Sequence, residues 1–184
     1  GLKSKTEFVV NNYVYSIAGG FRGNLDRLII APLLGFSLLG NYVIALQFVG
    51  VLMIFSSIAF KYFLSQDASG IKNKNLKKWV IVSSIAISIL GIVALPHVIS
   101  LLFPKYVEAI DAIQIMSLSV FPLTLTGIYT SKFLAIEKTR IILISTTLNV
   151  IVEIIGIITL SPIFGLVGVA FAFLMGSTST TVFM

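Results

Sequence analysis

Cysteine is absent from the 184 residues, so neither a disulfide framework nor a thiolate metal site can form. Histidine occurs once, at His97, and a single imidazole builds no histidine metal site. No metal site and no cofactor is therefore expected. Charge is scarce as well. Charged residues make up 11% of the chain, against about 25% in soluble domains. That shortage excludes an ordinary soluble domain and a disordered polar chain. No GxSxG, HExxH, P-loop or paired-aspartate motif is present, so no enzyme class is signalled. The chain opens at Gly1 without a basic segment and short apolar core, so a signal peptide is not expected. The missing Met points to a processed chain or a fragment.

Apolar sequence fills the space that charge leaves. Hydrophobic residues are 57% of the chain and the mean hydropathy is +1.05. Soluble domains reach only about 45–50% even when glycine is counted as apolar. At about 20 apolar residues per crossing, the length holds about six spans and no sizeable soluble domain. The expected fold is an all-α, polytopic transmembrane helical bundle. Gaps between charges place the spans at about 6–34, 41–64, 79–103, 112–135, 141–160 and 166–184. The apolar runs do not alternate with period two, which excludes barrel strands. Backbone groups in a bilayer core find no water, so such runs are helical. Pro122 marks a candidate kink in the fourth span.

Basic residues then set the orientation. Lys3, Lys5, Lys72, Lys74, Lys77, Lys78, Lys138 and Arg140 lie in the N-terminal tail and the loops after spans two and four. Lys61 and Lys132 sit at the neighbouring helix ends. The opposite loops hold only Lys105. This positive-inside bias puts both termini in the cytoplasm of a multi-pass cell-membrane protein. It also explains the net charge of +6, so nucleic-acid binding is not expected. The Lys72–Lys78 cluster reads as a plain cytoplasmic loop, with contact to anionic membrane lipid as the alternative.

The first span is the most informative, because Arg22, Asp26 and Arg27 interrupt it. A charge at the bilayer centre costs roughly 2.5–3.5 kcal/mol on insertion scales, so such residues face a bundle interior or a wet cavity. Asn11, Tyr15, Arg22 and Asp26 share one helical stripe, and Asn12, Ser16, Gly20, Gly23 and Arg27 form the next. Arg22 and Asp26 stand at i and i+4 and can pair. Arg27 is then the less compensated cation, and a guanidinium in a wet cavity suits phosphate oxygens. The alternative is a helix-packing ion pair, or two shorter segments separated at Gly19, Gly20 and Gly23. In the fifth span Ser145, Asn149 and Glu153 form a second polar stripe that points into protein or water. Glu153 is read either as a proton- or cation-coupling group or as a hydrogen-bonding partner. Gln114, Ser117, Thr124, Thr126 and Tyr129 in the fourth span read as interhelical glue. His97 reads as structural.

Three stretches resemble one family. The run NLDRLIIAPLLGFSLLGNYVIA, with Asp26, Gly35, Gly40 and Tyr42, is similar to the start of the C-terminal half of polysaccharide flippases in the MATE-like (MOP) exporter superfamily. ISLLFPKYVEAIDAIQIMSL resembles the family's approach to its tenth helix, with Pro104 where Gly is common. KFLAIEKTRIILISTTLNVIVEIIGIITLSPIFGLVGVAFA resembles the small loop, eleventh helix and Pro-x-x-Gly-x-x-Gly turn. Pro162, Gly165 and Gly168 match that turn, and Glu137 replaces the usual Gly before Lys138. The resemblance covers nearly the whole chain. It implies one six-helix lobe of a V-shaped exporter whose N-terminal lobe lies outside this chain, either in the same polypeptide or as a separately encoded partner.

It further implies movement of lipid-linked oligosaccharide across the cytoplasmic membrane by alternating access. Arg22, Asp26 and Arg27 would then face a cationic central cavity, with Asn149 and Glu153 as further cavity candidates. The rivals are a cation-coupled multidrug antiporter of the same superfamily using Asp26 and Glu153, a structural membrane subunit without a transport cycle, and a membrane glycan or lipid transferase. For the last, Glu108 and Asp111 are the nearby acids, and two are too few.

Overall fold

The structure is a computed structural model. It describes the backbone of residues 2–70 and 73–184 and the side chains of 24–70 and 73–184. The described chain is all helical: α1 (Leu2–Leu52), α2 (Ile54–Ala68), α3 (Lys74–Leu102), a 3-10 segment (Pro104–Ala109), α4 (Ile110–Ser117), α5 (Val120–Ala135) and α6 (Thr139–Phe183). Three stretches, Asn24–Leu52, Lys74–Leu102 and Thr139–Phe183, are long and apolar enough to cross a membrane. Pro104–Ser117 and Val120–Ala135, bent by 43° at a short break, make a fourth if taken together.

The two longest helices are folded back on themselves. A straight helix of the 45 residues of α6 would reach about 67 Å, twice the roughly 30 Å of a hydrocarbon core. Gly165, at φ 57° and ψ −131°, breaks it. Asn149 donates to Thr180 at 2.8 Å, Gly176 lies against Glu153, Gly156 against Ala172 and Gly168 against Leu160. These pairs close inward on Gly165, so 139–164 and 166–183 form an antiparallel hairpin. Gly168 has no room for a side chain, since a Cβ there would overlap the Leu160 carbonyl. Gly35, at φ 83° and ψ 168°, does the same in α1. The Tyr42 hydroxyl reaches the Asp26 carboxylate at 2.5 Å, although sixteen residues of straight helix would span about 24 Å.

Cross-helix bonds fix the remaining directions. Lys77 to Asp67 and Asn73 to Gln66 set α2 and α3 antiparallel. Ser88 to the Ser117 carbonyl and Gln114 to the Ile92 carbonyl do so for α3 and α4. The Ser56–Thr124 and Asp67–Ser131 bonds make α2 and α5 parallel. Six segments therefore alternate in direction: 2–34, 36–68, 74–102, 110–135, 139–164 and 166–183. The segment 36–68 is interrupted only at Met53, across which the Met53–Val49 and Ser57–Met53 backbone bonds persist. It is longer than the expected 41–64, because helical hydrogen bonding continues past the charge gap. The break at 118–119 lies one turn before Pro122, which lacks the N–H for the Leu118 carbonyl.

Along the middle of α3, packing is inverted relative to a soluble helix. On α3 the buried residues include Ser84, Ser88 and Gly91, while Val82, Ile85, Ile89 and Val93 are 43–61% exposed. Water would penalise that apolar face, whereas lipid accepts it, and small residues let helices approach closely. A Cβ on Gly91 would meet Leu52 and Ser117 at 2.7–2.8 Å. Helix association in lipid then rests on packing and hydrogen bonds, each worth about 0.6–2 kcal/mol. Gln114, Thr124 and Thr126 make such bonds, as expected for glue, whereas the Ser117 hydroxyl bonds to Ile113 within its own helix and only its carbonyl accepts across, from Ser88. His97 bonds only within its own helix, to the Val93 carbonyl at 3.0 Å among the contacts described.

Charge is segregated between the two ends. The C-terminal end of α2, the N-terminal end of α3 and the 136–138 connection lie at one end, with Lys74, Lys77, Lys78, Lys138 and Arg140 there. The Gly35 turn, the 103–109 connection and the Gly165 turn lie at the other, with Lys105. At the basic end Asp67 accepts from Lys77 at 2.7 and 2.8 Å and from Ser131 at 2.8 Å, tying α2, α3 and α5. Glu137 turns the chain into α6 at φ 56°, the left-handed region that glycine occupies without strain.

Candidate functional site

The polar core lies where both hairpins meet. Asp26 is 6% exposed, on the α1 arm that precedes Gly35. One carboxylate oxygen accepts from the fully buried Tyr42 hydroxyl, the other from the Arg27 backbone N–H at 2.9 Å. Across from it stands Glu153 of α6, 7% exposed and also engaged in an interaction. Asp26 and Glu153 line one small cavity with Leu25, Val150, Ile154 and Ile157. Its volume is about 10 Å³, close to the least that holds one water-sized sphere.

One turn before Glu153, Asn149 is fully buried and donates its amide N–H to Thr180. Its side-chain oxygen is buried without a hydrogen-bond partner. An unsatisfied buried acceptor costs about 1–3 kcal/mol, and such atoms are rare in native cores. Ser145, two turns before Glu153, is fully buried too. The whole stripe thus faces protein, one of the two surroundings expected of it. Gly176 makes this possible, since a Cβ there would press on Glu153 at 3.1 Å and on the Asn149 carbonyl at 3.2 Å.

Four of the five sequence candidates have described side chains, and they lie in three places. Asp26 and Glu153 meet at the interface between α1 and α6, whereas Asn149 lies between the two arms of the α6 hairpin. Arg27 is exposed on another face of its helix, about 100° round from Asp26. Leu28 beside it is 70% exposed. The Arg22 side chain, and with it the expected Arg22–Asp26 pair, lies outside the described residues, as do both polar stripes up to Gly23. Tyr42, a residue of the turn motif in sequence, is the described side-chain donor to Asp26. Its signal was the near-symmetric placement of Asp26 and Tyr42 about Gly35, which a tight helical hairpin brings together.

Two larger cavities lie elsewhere. One, of about 280 Å³, runs between α2 and α5 and includes Met53, Phe60, Lys61 and Gly127. The other, of about 630 Å³, opens at the end away from the basic loops. It lies between Phe36–Asn41 and Pro104–Glu108. No protein-family model, no curated protein and no solved structure matches the chain. No group of three or more potential acidic, His or Cys metal ligands occurs among the described residues.

Proposed function

We propose that the chain is a six-span lobe of a flippase-type exporter that moves lipid-linked oligosaccharide across the cytoplasmic membrane by alternating access. The observation that carries this reading is the exposure of Arg27. It lies eight residues before the Gly35 turn, about 12 Å along the helix and so within the hydrocarbon depth. A lipid-facing arginine at that depth would cost roughly 2.5–3.5 kcal/mol. The face of α1 that bears Arg27 therefore fronts a wet cavity, closed on its far side by a second lobe. A guanidinium there binds the phosphate oxygens of a polyprenyl-linked sugar, which lipid tails alone cannot recognise.

The turn geometry supports the same family. Gly35, Glu137 and Gly165, three of the four positive-φ positions among the described residues, fall at the turns through which the chain resembles the polysaccharide flippases. Six alternating segments with basic residues at one end fit six crossings and cytoplasmic termini. The bend ahead of Pro122 supplies a hinge for rocking the lobe. No catalytic chemistry enters this reading, and nucleic acid plays no part in it.

One observation favours a second reading within the superfamily, a cation-coupled drug antiporter. Asp26 and Glu153 share a cavity, and one turn before Glu153 the buried Asn149 oxygen lacks a partner. Carboxylate and amide oxygens are ligands for a hard cation. Transport of labelled lipid-linked saccharide, set against drug-resistance profiles, separates the two. Export of saccharide that needs Arg27 supports the first. Resistance to organic cations that needs Asp26 and Glu153, without saccharide export, supports the second.

A further inference from the structure

We infer that the large cavity at the end away from the basic loops is a saccharide-docking site for pyranose rings. Pyranoses show two faces to a protein. Their C–H face packs on aromatic rings, and their equatorial hydroxyls exchange hydrogen bonds with amides, carboxylates and ammonium groups in one plane. This cavity offers both. Its volume of about 630 Å³ falls in the range of about 300–1,000 Å³ typical of small-ligand sites. Phe36, directly after the Gly35 turn, is 83% exposed and lines the wall, and Tyr106 lines the facing segment. Between them stand Ser37, Asn41, Lys105 and Glu108.

The placement of these groups is held by the fold. Asn41 is 5% exposed and donates to the Glu108 carboxylate at 3.3 Å, joining the α1 hairpin to the 3-10 segment. It stands next to Tyr42, which anchors to Asp26. Tyr106 packs on the main apolar core. Gly40 lines the cavity with nothing near its missing Cβ, which leaves the wall open there. An exposed phenylalanine alone would suit an interfacial aromatic belt. Amide, carboxylate, ammonium and hydroxyl groups collected in one concavity beside it do not belong to such a belt.

This inference rests on the exporter reading for its biological meaning, since the cavity lies at the end where a flipped saccharide would emerge. Its test does not depend on transport. The whole transporter in nanodiscs is mixed with methyl glycosides of glucose and of N-acetylglucosamine, and saturation-transfer NMR reads contact with each sugar. Transfer to the pyranose C–H protons is expected. Phe36→Ala should weaken it about three- to tenfold, and Phe36→Trp should retain it. Glu108→Gln should weaken it without altering helix content. No transfer to either glycoside, or equal transfer with Phe36→Ala, overturns the site. Export that still depends on Arg27 in that case leaves the exporter reading standing. Glycoside binding without any role for Arg27 in export keeps the site and removes the exporter.

Discussion

Replacing Tyr42 by Phe removes one oxygen and leaves the ring in place. The ring is fully buried, so no cavity opens and no new surface is exposed. What is lost is the 2.5 Å bond to Asp26, the clasp between the two arms of the α1 hairpin. Interhelical hydrogen bonds in membranes average about 0.6 kcal/mol and reach about 1.7. A carboxylate acceptor strengthens such a bond, to about 1.5–3 kcal/mol in water-soluble hosts. Asp26 keeps the Arg27 N–H, which limits the damage. The expected loss is therefore about 1.5 kcal/mol, slightly more than tenfold in the unfolding equilibrium.

Reversible unfolding in mixed detergent with rising SDS measures it. Tyr62→Phe, at an exposed position, serves as the control and should stay within about 0.5 kcal/mol. In a double-mutant cycle with Asp26→Asn, the combined loss should fall short of the sum by about 1 kcal/mol. A Tyr42→Phe variant as stable as the control would refute the clasp, and with it the fold-back at Gly35.

Three further outcomes are expected. Gly168→Ala forces a methyl group into the Leu160 backbone, so it should cost about 3 kcal/mol or more and sharply reduce folded yield, seen by size-exclusion chromatography. Glu137→Gly relieves a left-handed backbone and should stabilise by about 1 kcal/mol in the same SDS titration. The chain has no cysteine, so single reporters can be placed freely. Ser69→Cys and Val107→Cys should react with an impermeant thiol reagent from opposite sides of the membrane. Labelling from the same side would contradict the alternating directions.

Much of the fold was legible because glycine and proline punctuate it. Gly35, Gly165 and Gly168 are needed for backbone reasons, and backbone reasons show in sequence. The buried stripe Ser145–Asn149–Glu153 was legible because a four-residue period admits only one helical face. The break before Pro122 followed from the missing amide. Less legible were the contacts between segments distant in the chain. Tyr42 and Asp26 meet through a turn, and their placement about Gly35 is the one signal of that meeting. Asp67, Lys77 and Ser131 come from three helices, and Lys77 read only as part of a basic loop. Arg27 and Asp26 read as one charged cluster. Their adjacency in sequence sends them to different faces of the helix, the acid inward and the cation outward.

The direct measurement is export by the whole transporter carrying Arg27→Ala, scored by complementation of surface-polysaccharide display, with Arg27→Lys and the Arg22/Arg27 double alanine variant beside it. Membrane insertion is checked by the thiol reporters. Loss of export in both alanine variants, with normal insertion and partial retention by Arg27→Lys, is the expected result. Full export by the double variant would contradict an anion-binding cavity on this face of α1.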